Sequence, residues 1–271
     1  LILFRFYVYL KLMNVSFYKY QGTGNDFIII DNRSVFFPKS NNVLISNLCN
    51  RHFGIGADGL ILLENDENSN FKMIYFNADG NESTMCGNGG RCIVAFAKKL
   101  QLFEHKTKFS AIDGIHYAEI NDHKVSLQMI NVNDIKVSGN SSFTNTGSPH
   151  HVEVVTNLAN IKVVEKGREI INNYYQTEGC NINFVEQLNN ETFKVRTYER
   201  GVEDETLACG TGVTAVAIAM HFNKKSSSNR IELIVPGGSL EVKFKEDKGN
   251  YTNIMLLGAA TFVFEGKIAL P

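Results

Sequence analysis

At 271 residues, 44% hydrophobic and 20% charged, the chain has the make-up of a soluble globular protein with one large or two medium cores. A net charge of −1 supplies no basic field, so no nucleic-acid partner is expected. Five cysteines at irregular spacing, with no C-x-x-C pair, argue against a structural zinc site and a secreted disulfide framework and fit a reducing cytoplasm.

Taken in chain order, the first twelve residues are apolar and aromatic with two basic residues. They are shorter than a membrane span of about 20 residues. They also lack the charge-first order and cleavage site of a secretory signal. Residues 1–13 are therefore expected to be an extension outside the fold, and no membrane partner is expected. Alternation and β-branched content predict strands over 15–20, 27–31, 59–63, 71–76, 107–112, 116–120 and 124–129. A second series follows over 151–156, 181–186, 192–198, 230–235, 240–244, 251–257 and 260–264. Helices of modest length are predicted over 43–52 and 164–174. Two others, over 89–100 and 212–221, are rich in Ala and apolar on most sides, so they must be buried, wrapped by sheet. The polar stretch 133–149 reads as a joining segment, and Pro236-Gly237-Gly238-Ser239 as a hairpin turn. Gly22-Thr23-Gly24-Asn25 is followed by a strand rather than a helix, so it is no phosphate loop.

The most informative feature is a duplication. Met85-Cys86-Gly87-Asn88-Gly89-Gly90 and Ala208-Cys209-Gly210-Thr211-Gly212 each precede a small-residue apolar helix, nearly half a chain apart. Each helix is preceded and followed by strands, which makes an internal pseudo-repeat. The fold class implied is α+β, in two lobes with a cleft between them. A cysteine just before a helix meets exposed amide N–H groups and the positive end of the dipole, which favour its thiolate. Successive amides in such a turn also form a nest for an anion such as an α-carboxylate. Two facing turns would grip one carboxylate and place a sulfur on each face of the α-carbon, one removing the proton and the other returning it. Inversion needs two bases, since a single base returns the proton to the face it left. No lysine stands in a context for a pyridoxal phosphate Schiff base and neither cysteine turn is a G-x-G-x-x-G or Walker pattern, so no cofactor is expected; without a C-x-x-C pair, no metal is expected either. Cys49, Cys92 and Cys180 lack the glycine context and read as buried, inert residues.

These motifs resemble the diaminopimelate epimerase family, from about Val15 to Leu270. The matching stretches include Gly22 to Phe27, Arg51 to Gly59, Phe76 to Gly80, Cys86 to Gly89, Gly147 to His150, Tyr198 to Gly201, Ala208 to Gly212 and Pro236 to Ser239. Eight short motifs in one order are highly specific. The resemblance implies two pseudo-symmetric lobes, each a curled, mostly antiparallel sheet around a central helix. The lobes would be 14–130 with 258–271 (carrying Cys86) and 131–257 (carrying Cys209), the last strand returning to the first lobe. It implies a cofactor-independent epimerase interconverting LL- and meso-diaminopimelate in lysine, and usually peptidoglycan, synthesis, acting as a cytoplasmic homodimer. Position by position, Cys86 and Cys209 match the catalytic pair, and His150 and Glu199 the residues that assist it. Gly87 with Asn88 and Gly210 with Thr211 match the turns that hold the carboxylate. Asn25, Asn77, Asn181, Glu199 and Arg200 match substrate contacts. The distal end of diaminopimelate is itself an amino acid, so a bidentate cation for its carboxylate and acceptors for its ammonium make physical sense.

Some positions depart from the family or pose a geometric question. Ser148 stands where many members have Asn, and Gly59 where some have Gln. Neighbouring strand residues face opposite sides, so Glu199 and Arg200 reach one ligand only if the backbone bends, and only one of His150 and His151 points inward. The acidic run 201–206 is expected to form a turn that tunes the field near Cys209. Two rival readings are a proline-type racemase, which needs no distal amino-acid site, and a redox protein in which Cys86 and Cys209 form a reversible disulfide.

Overall fold

The computed structural model describes residues 13–122, 124–176 and 178–270, so the expected extension over residues 1–12 lies outside the described residues. Met13, assigned above to that extension, is already in a strand and pairs with Leu270.

The first half runs β1 (Met13–Gly22), β2 (Asn25–Asp31), α1 (Asn42–Cys49), β3 (Gly59–Glu64), β4 (Phe71–Asn77), β5 (Glu82–Ser83), α2 (Gly87–Lys99), β6 (Lys106–Ala111), β7 (Gly114–Asn121) and β8 (Lys124–Gln128). The short strand β9 (Ile135–Ser138) leads into the second half. That half runs β10 (Ser141–Asn145), β11 (Pro149–Val154), α3 (Val163–Ile170), β12 (Asn181–Gln187), β13 (Thr192–Glu199), β14 (Asp204–Thr206), α4 (Gly210–Phe222), β15 (Arg230–Val235), β16 (Gly238–Asp247) and β17 (Asn250–Ala259). The final strand, β18 (Thr261–Leu270), returns to pair with β1.

The two halves repeat in pairing as well as in order. β1–β2 is antiparallel, β2–β3 parallel, β3–β4 antiparallel and β4–β6 parallel. The same alternation recurs in β10–β11, β11–β12, β12–β13 and β13–β15. A β8–β17 ladder joins the halves, and β9 flanks β10 as β18 flanks β1. The architecture is α+β, with two pseudo-symmetric lobes, each wrapped around a helix.

Burial explains why these segments settle as they do. β2 and β3 pair in parallel and carry apolar side chains on both faces, as a strand covered on both sides must. Phe27 and Ile29 face α2, whereas Ile28 and Ile30 face α1 with Ile45 and Leu48. In the second half Ile182, Phe184 and Tyr198 pack beneath α3 in the same manner. α4 is buried nearly all round, which its run of Ala, Val and Ile permits. The interiors around α2 and α4 merge into one apolar cluster that includes Phe96 and Val216. Phe96 lies 4.7 Å from the Tyr18 ring and 6.0 Å from Tyr20. Its truncation to Ala would cost about 3–5 kcal/mol.

The expected polar joining segment is a different structure. Residues 133–149 contain β9 and β10, where the inward side chains are Ser142 and Thr144 rather than aliphatics. Their hydroxyls are satisfied inside: Asn223 donates to Ser142 at 2.7 Å and Thr144 donates to the Asp134 carbonyl at 2.9 Å. The helix expected over 164–174 divides into α3 and a single π-helical turn, Ile171–Tyr175. The 22–25 motif is a hairpin turn, with Gly22 paired to Asn25 and both Thr23 and Gly24 at positive φ. No helix among the described residues is long and apolar enough to cross a membrane.

Candidate active site

Cys86 and Cys209 are the N-cap residues of α2 and α4, each in extended backbone conformation and each followed by thirteen helical residues. The helices thus start at Gly87 and Gly210, two residues earlier than the sequence pattern indicated. The two starts abut. A Cβ placed on Gly210 would lie 3.3 Å from the Gly87 Cα, and one on Gly87 would lie 3.5 Å from the Gly210 Cα. At Gly210 an added side chain would crowd the opposite helix start. The amides and dipoles of the two starts therefore act on shared space.

Both thiols are held above the ordinary cysteine range. For Cys86 burial raises it most and the Glu199 carboxylate adds to that, while the amides of Gly89 and Asn88 and the Arg91 guanidinium oppose. For Cys209 burial again leads, with Glu199 and Cys86 adding and the Thr211 hydroxyl and Gly212 amide opposing. Glu199 thus acts on both sulfurs at once. The Cys86 thiol donates to Asn25 Oδ1 at 3.7 Å, and Cys209 Sγ lies 3.5 Å from Thr211 Oγ1.

Each expected residue has a definite place. Asn25 Nδ2 donates to Asp58 at 2.7 Å, which turns its Oδ1 toward Cys86 and Asn88. Asp58 is in turn paired with Arg51 at 2.7 Å. The Asn88 side chain is committed to the protein, donating to Asn25 Oδ1 at 3.2 Å and to the Ala208 carbonyl at 3.0 Å, so it ties one cysteine turn to the other. Asn181 is similarly engaged: its Nδ2 donates to the Pro149 carbonyl and its Oδ1 accepts from the Arg200 amide at 2.9 Å. Asn77 ends β4 with its side chain exposed.

Glu199 closes β13 while Arg200 lies in the turn beyond it, so strand alternation does not separate the pair. The Glu199 carboxyl is raised by burial, and Thr206 donates to its Oε2 at 2.8 Å. The Arg200 guanidinium donates to the Glu178 carbonyl at 3.1 Å and has no carboxylate partner among the described residues. His150 and His151 are both buried but have different partners: Asn183 for His150 and the Tyr175 hydroxyl for His151. Asn183 Nδ2 also donates to the His151 carbonyl at 2.9 Å, while its Oδ1 accepts from Thr197 at 3.0 Å. That fixes Asn183 Nδ2 as donor, so His150 Nδ1 accepts and Nε2 carries the proton. Nε2 is buried without a partner among the described residues. Burial, with Arg200 adding, pushes His150 down to about 3, so it is neutral at physiological pH.

Three expectations are refined by this geometry. Gly59 has no room for the side chain found in some relatives, because an added Cβ would lie 2.6 Å from the Tyr75 ring and from the Phe76 carbonyl. In the acidic run 201–206, Glu205 pairs with Arg196 at 2.6 Å, Glu203 accepts from Tyr198, and Thr206 on β14 donates to Glu199 at 2.8 Å. Cys49, Cys92 and Cys180 are buried, and burial pushes each up to about 12. The sequence reading missed Arg91, Asp58 and Asn183. A charged residue in an otherwise apolar helix, and Asn at alternate positions of a buried strand, were the available signals.

The family model for diaminopimelate epimerase matches residues 17–135 and 142–263. The chain is 58% identical over 256 residues to the diaminopimelate epimerase of Flavobacterium psychrophilum, covering 94% of this chain and 100% of that one. It is 38% identical to that of Aquifex aeolicus, covering 94% and 98%. Among solved structures it is similar to a PhzF-family phenazine biosynthesis protein of Bacillus anthracis, with TM-score 0.73, 15% identity and 95% and 100% coverage. It is also similar to a hydroxyproline epimerase from Agrobacterium vitis, with TM-score 0.68, 12% identity and 95% and 93% coverage. At those identities the structural likeness speaks to fold alone, whereas the sequence relatives span the whole described fold. The chain belongs to the diaminopimelate epimerase family.

Proposed function

We propose that this protein interconverts LL- and meso-diaminopimelate without a cofactor, with Cys86 and Cys209 as base and acid on opposite faces of the α-carbon. The observation that carries this reading is the contact of two cysteine-capped helix starts, Gly87 against Gly210. The substrate α-carboxylate sits against the amides of Gly87, Asn88, Gly210 and Thr211. There the two dipoles stabilise the charge that spreads onto the carboxylate as the α-proton leaves. One thiolate takes that proton while the opposite thiol gives its own to the other face. The sulfur charge moves across the site and the net charge is unchanged. Burial suits this exchange, because a desolvated thiolate is a stronger base than one in water. Glu199 and the neutral His150 assist by position and field. The Arg200 guanidinium takes the distal carboxylate, with Asn25, Asn77, Asn181 and Glu199 surrounding the distal ammonium.

The lobe division into 14–130 with 258–271 and 131–257 follows the same reading, supported by the pairing of β18 with β1. A homodimer is supported by the exposed apolar side chains of β18, namely Phe262, Val263 and Phe264. A reducing cytoplasm is supported by five unpaired cysteines.

The test is LL-diaminopimelate in deuterated water, read by mass spectrometry and by chiral separation. Deuterium enters at one α-carbon and meso product forms, and neither occurs with Cys86→Ser or Cys209→Ser. Undiminished epimerisation by either variant overturns the two-base scheme. Turnover of proline or hydroxyproline in its place overturns the substrate.

A further inference from the structure

Arg91 lies on α2, five residues beyond Cys86, and is fully buried. Its partners are all neutral. Nη1 donates to the Gly87 carbonyl at 3.2 Å, Nη2 to Thr23 Oγ1 at 2.9 Å and to Asn88 Oδ1 at 3.0 Å, and Nε to the Ala259 carbonyl at 3.4 Å. Among the described residues no carboxylate pairs with it, whereas Arg33, Arg51, Arg196 and Arg230 each have at least one. The backbone is cut away to admit it: a Cβ on Gly258 would lie 2.9 Å from Arg91 Nε, and one on Gly22 3.2 Å from Nη2. A buried charge of this kind is expensive unless something ionic offsets it in at least one working state.

The pseudo-repeat shows what is particular about it. Thr214 stands five residues beyond Cys209, and its hydroxyl donates to the Gly210 carbonyl at 2.9 Å, the counterpart of the Arg91 bond to Gly87. Both side chains tie back the first carbonyl of their helix, but only one brings a charge. Through Asn88, the same guanidinium also fixes the amide that bridges to Ala208.

We propose that Arg91 is a positioning residue: its buried, carboxylate-free charge, held against the Gly87 carbonyl beside Cys86, favours the ionised form of Cys86 and locks Asn88 across the two cysteine turns. This rests on the reading of Cys86 as a proton-transfer group. The other titratable groups facing Cys86 are Glu199 from β13, Cys209 from the α4 turn, Tyr75 from β4 and Cys92 farther along α2. Each of these is neutral or negative, and Arg91 opposes them.

The test is the pH dependence of Cys86 alkylation by iodoacetamide, followed by mass spectrometry in a Cys209→Ser background. Removing a nearby cation raises a thiol, so Arg91→Gln moves the midpoint alkaline by about one pH unit, or about tenfold slower alkylation below it. Arg91→Lys keeps the charge and restores the midpoint. Thr23, at φ 57°, tolerates replacement by Asp or Asn, which enter that region readily. Thr23→Asp gives Arg91 a counter-ion and shifts the profile alkaline, whereas Thr23→Asn leaves it in place. This pair decides the matter if the Arg91 variants do not fold. Coincident profiles for Arg91→Gln and the parent, or for Thr23→Asp and Thr23→Asn, overturn the proposal, as does an equal shift for Arg91→Lys and Arg91→Gln. Deuterium exchange by the unmodified enzyme judges the two-base reading separately.

Discussion

Gly210→Ala is the most direct test of the idea that two helix starts share one carboxylate site. Gly210 is not at positive φ, so alanine is compatible with its backbone and is a better helix former by up to about 1 kcal/mol. The added methyl would lie 3.0 Å from Leu256 Cδ2 and 3.3 Å from the Gly87 Cα. Leu256 can turn its side chain aside, but the Gly87 Cα belongs to a helix start and yields only if α2 moves. Overpacking of this kind costs about 1–3 kcal/mol, so net stability falls by about 0–2 kcal/mol. The effect on turnover is larger in proportion, because a displacement near 1 Å in a reacting geometry costs about a hundredfold. A separation of a few tenths of an ångström therefore lowers kcat by about three- to tenfold. Gly87→Ala, whose methyl meets Leu256 Cδ2 at 3.1 Å but the Gly210 Cα at an ordinary 3.5 Å, is the milder change for the helix contact. Urea unfolding and solvent-deuterium incorporation, measured on both variants, separate stability from chemistry. If Gly210→Ala turns over within twofold of the parent at unchanged stability, the two turns do not act on one group.

Arg200→Ala removes the cation proposed for the distal carboxylate and lowers kcat/KM for diaminopimelate by about 10–100-fold, with Arg200→Lys intermediate; steady-state kinetics check both. Asp26 is raised by burial, but the Arg51 and Lys19 hydrogen bonds outweigh that and hold it well below the usual carboxylate range. A depressed carboxyl stabilises the fold above its unfolded value near 4 and loses that contribution as pH falls toward its folded value. Asp26→Asn, which strands the buried Lys19, should therefore cost about 3 kcal/mol at pH 7, and the gap should shrink below about pH 4 in urea titrations. Phe264→Glu places a charge amid the exposed apolar residues of β18 and shifts the protein toward monomer in sedimentation velocity, if that strand is the dimer face.

Much of the framework was legible because burial writes itself into apolar periodicity. The all-apolar runs of β2 and β3, and the Ala-rich helices after each cysteine, could be buried only inside a wrapped sheet, and they are. β9 and β10 escaped notice because Ser142 and Thr144, rather than aliphatic residues, fill the inward positions. The start of each cysteine helix was misplaced because glycine carries little helix propensity, while here the need for contact at Gly87 and Gly210 overrides it. In the site, residue identity was readable but partnership was not. The side chains of Asn88 and Asn181 also bond within the protein, Asn88 to Asn25 and Ala208 and Asn181 to Pro149 and the Arg200 amide, and no motif list shows such partners.

The duplication accounts for both the likeness of the halves and their differences. Two matching helix starts are what a reaction at one carbon needs, since the α-carboxylate and the two faces of the carbanion are nearly symmetric. The remainder of diaminopimelate lies to one side of that centre, so exact symmetry would leave its distal amino acid without a dedicated site. The halves diverge accordingly. Asn77 closes β4 where Glu199 closes β13, Gly59 opens β3 where Asn181 opens β12, and Arg91 stands on α2 where Thr214 stands on α4. In the proposed mechanism the paired turns supply inversion, and the unmatched residues supply polarity and direction. A proline-type substrate, which has no distal amino acid, would exert no demand for Glu199 and Arg200 together. Glu199 at the end of β13 and Arg200 in the turn after it are therefore the pair to which the proposed mechanism assigns the distal amino acid.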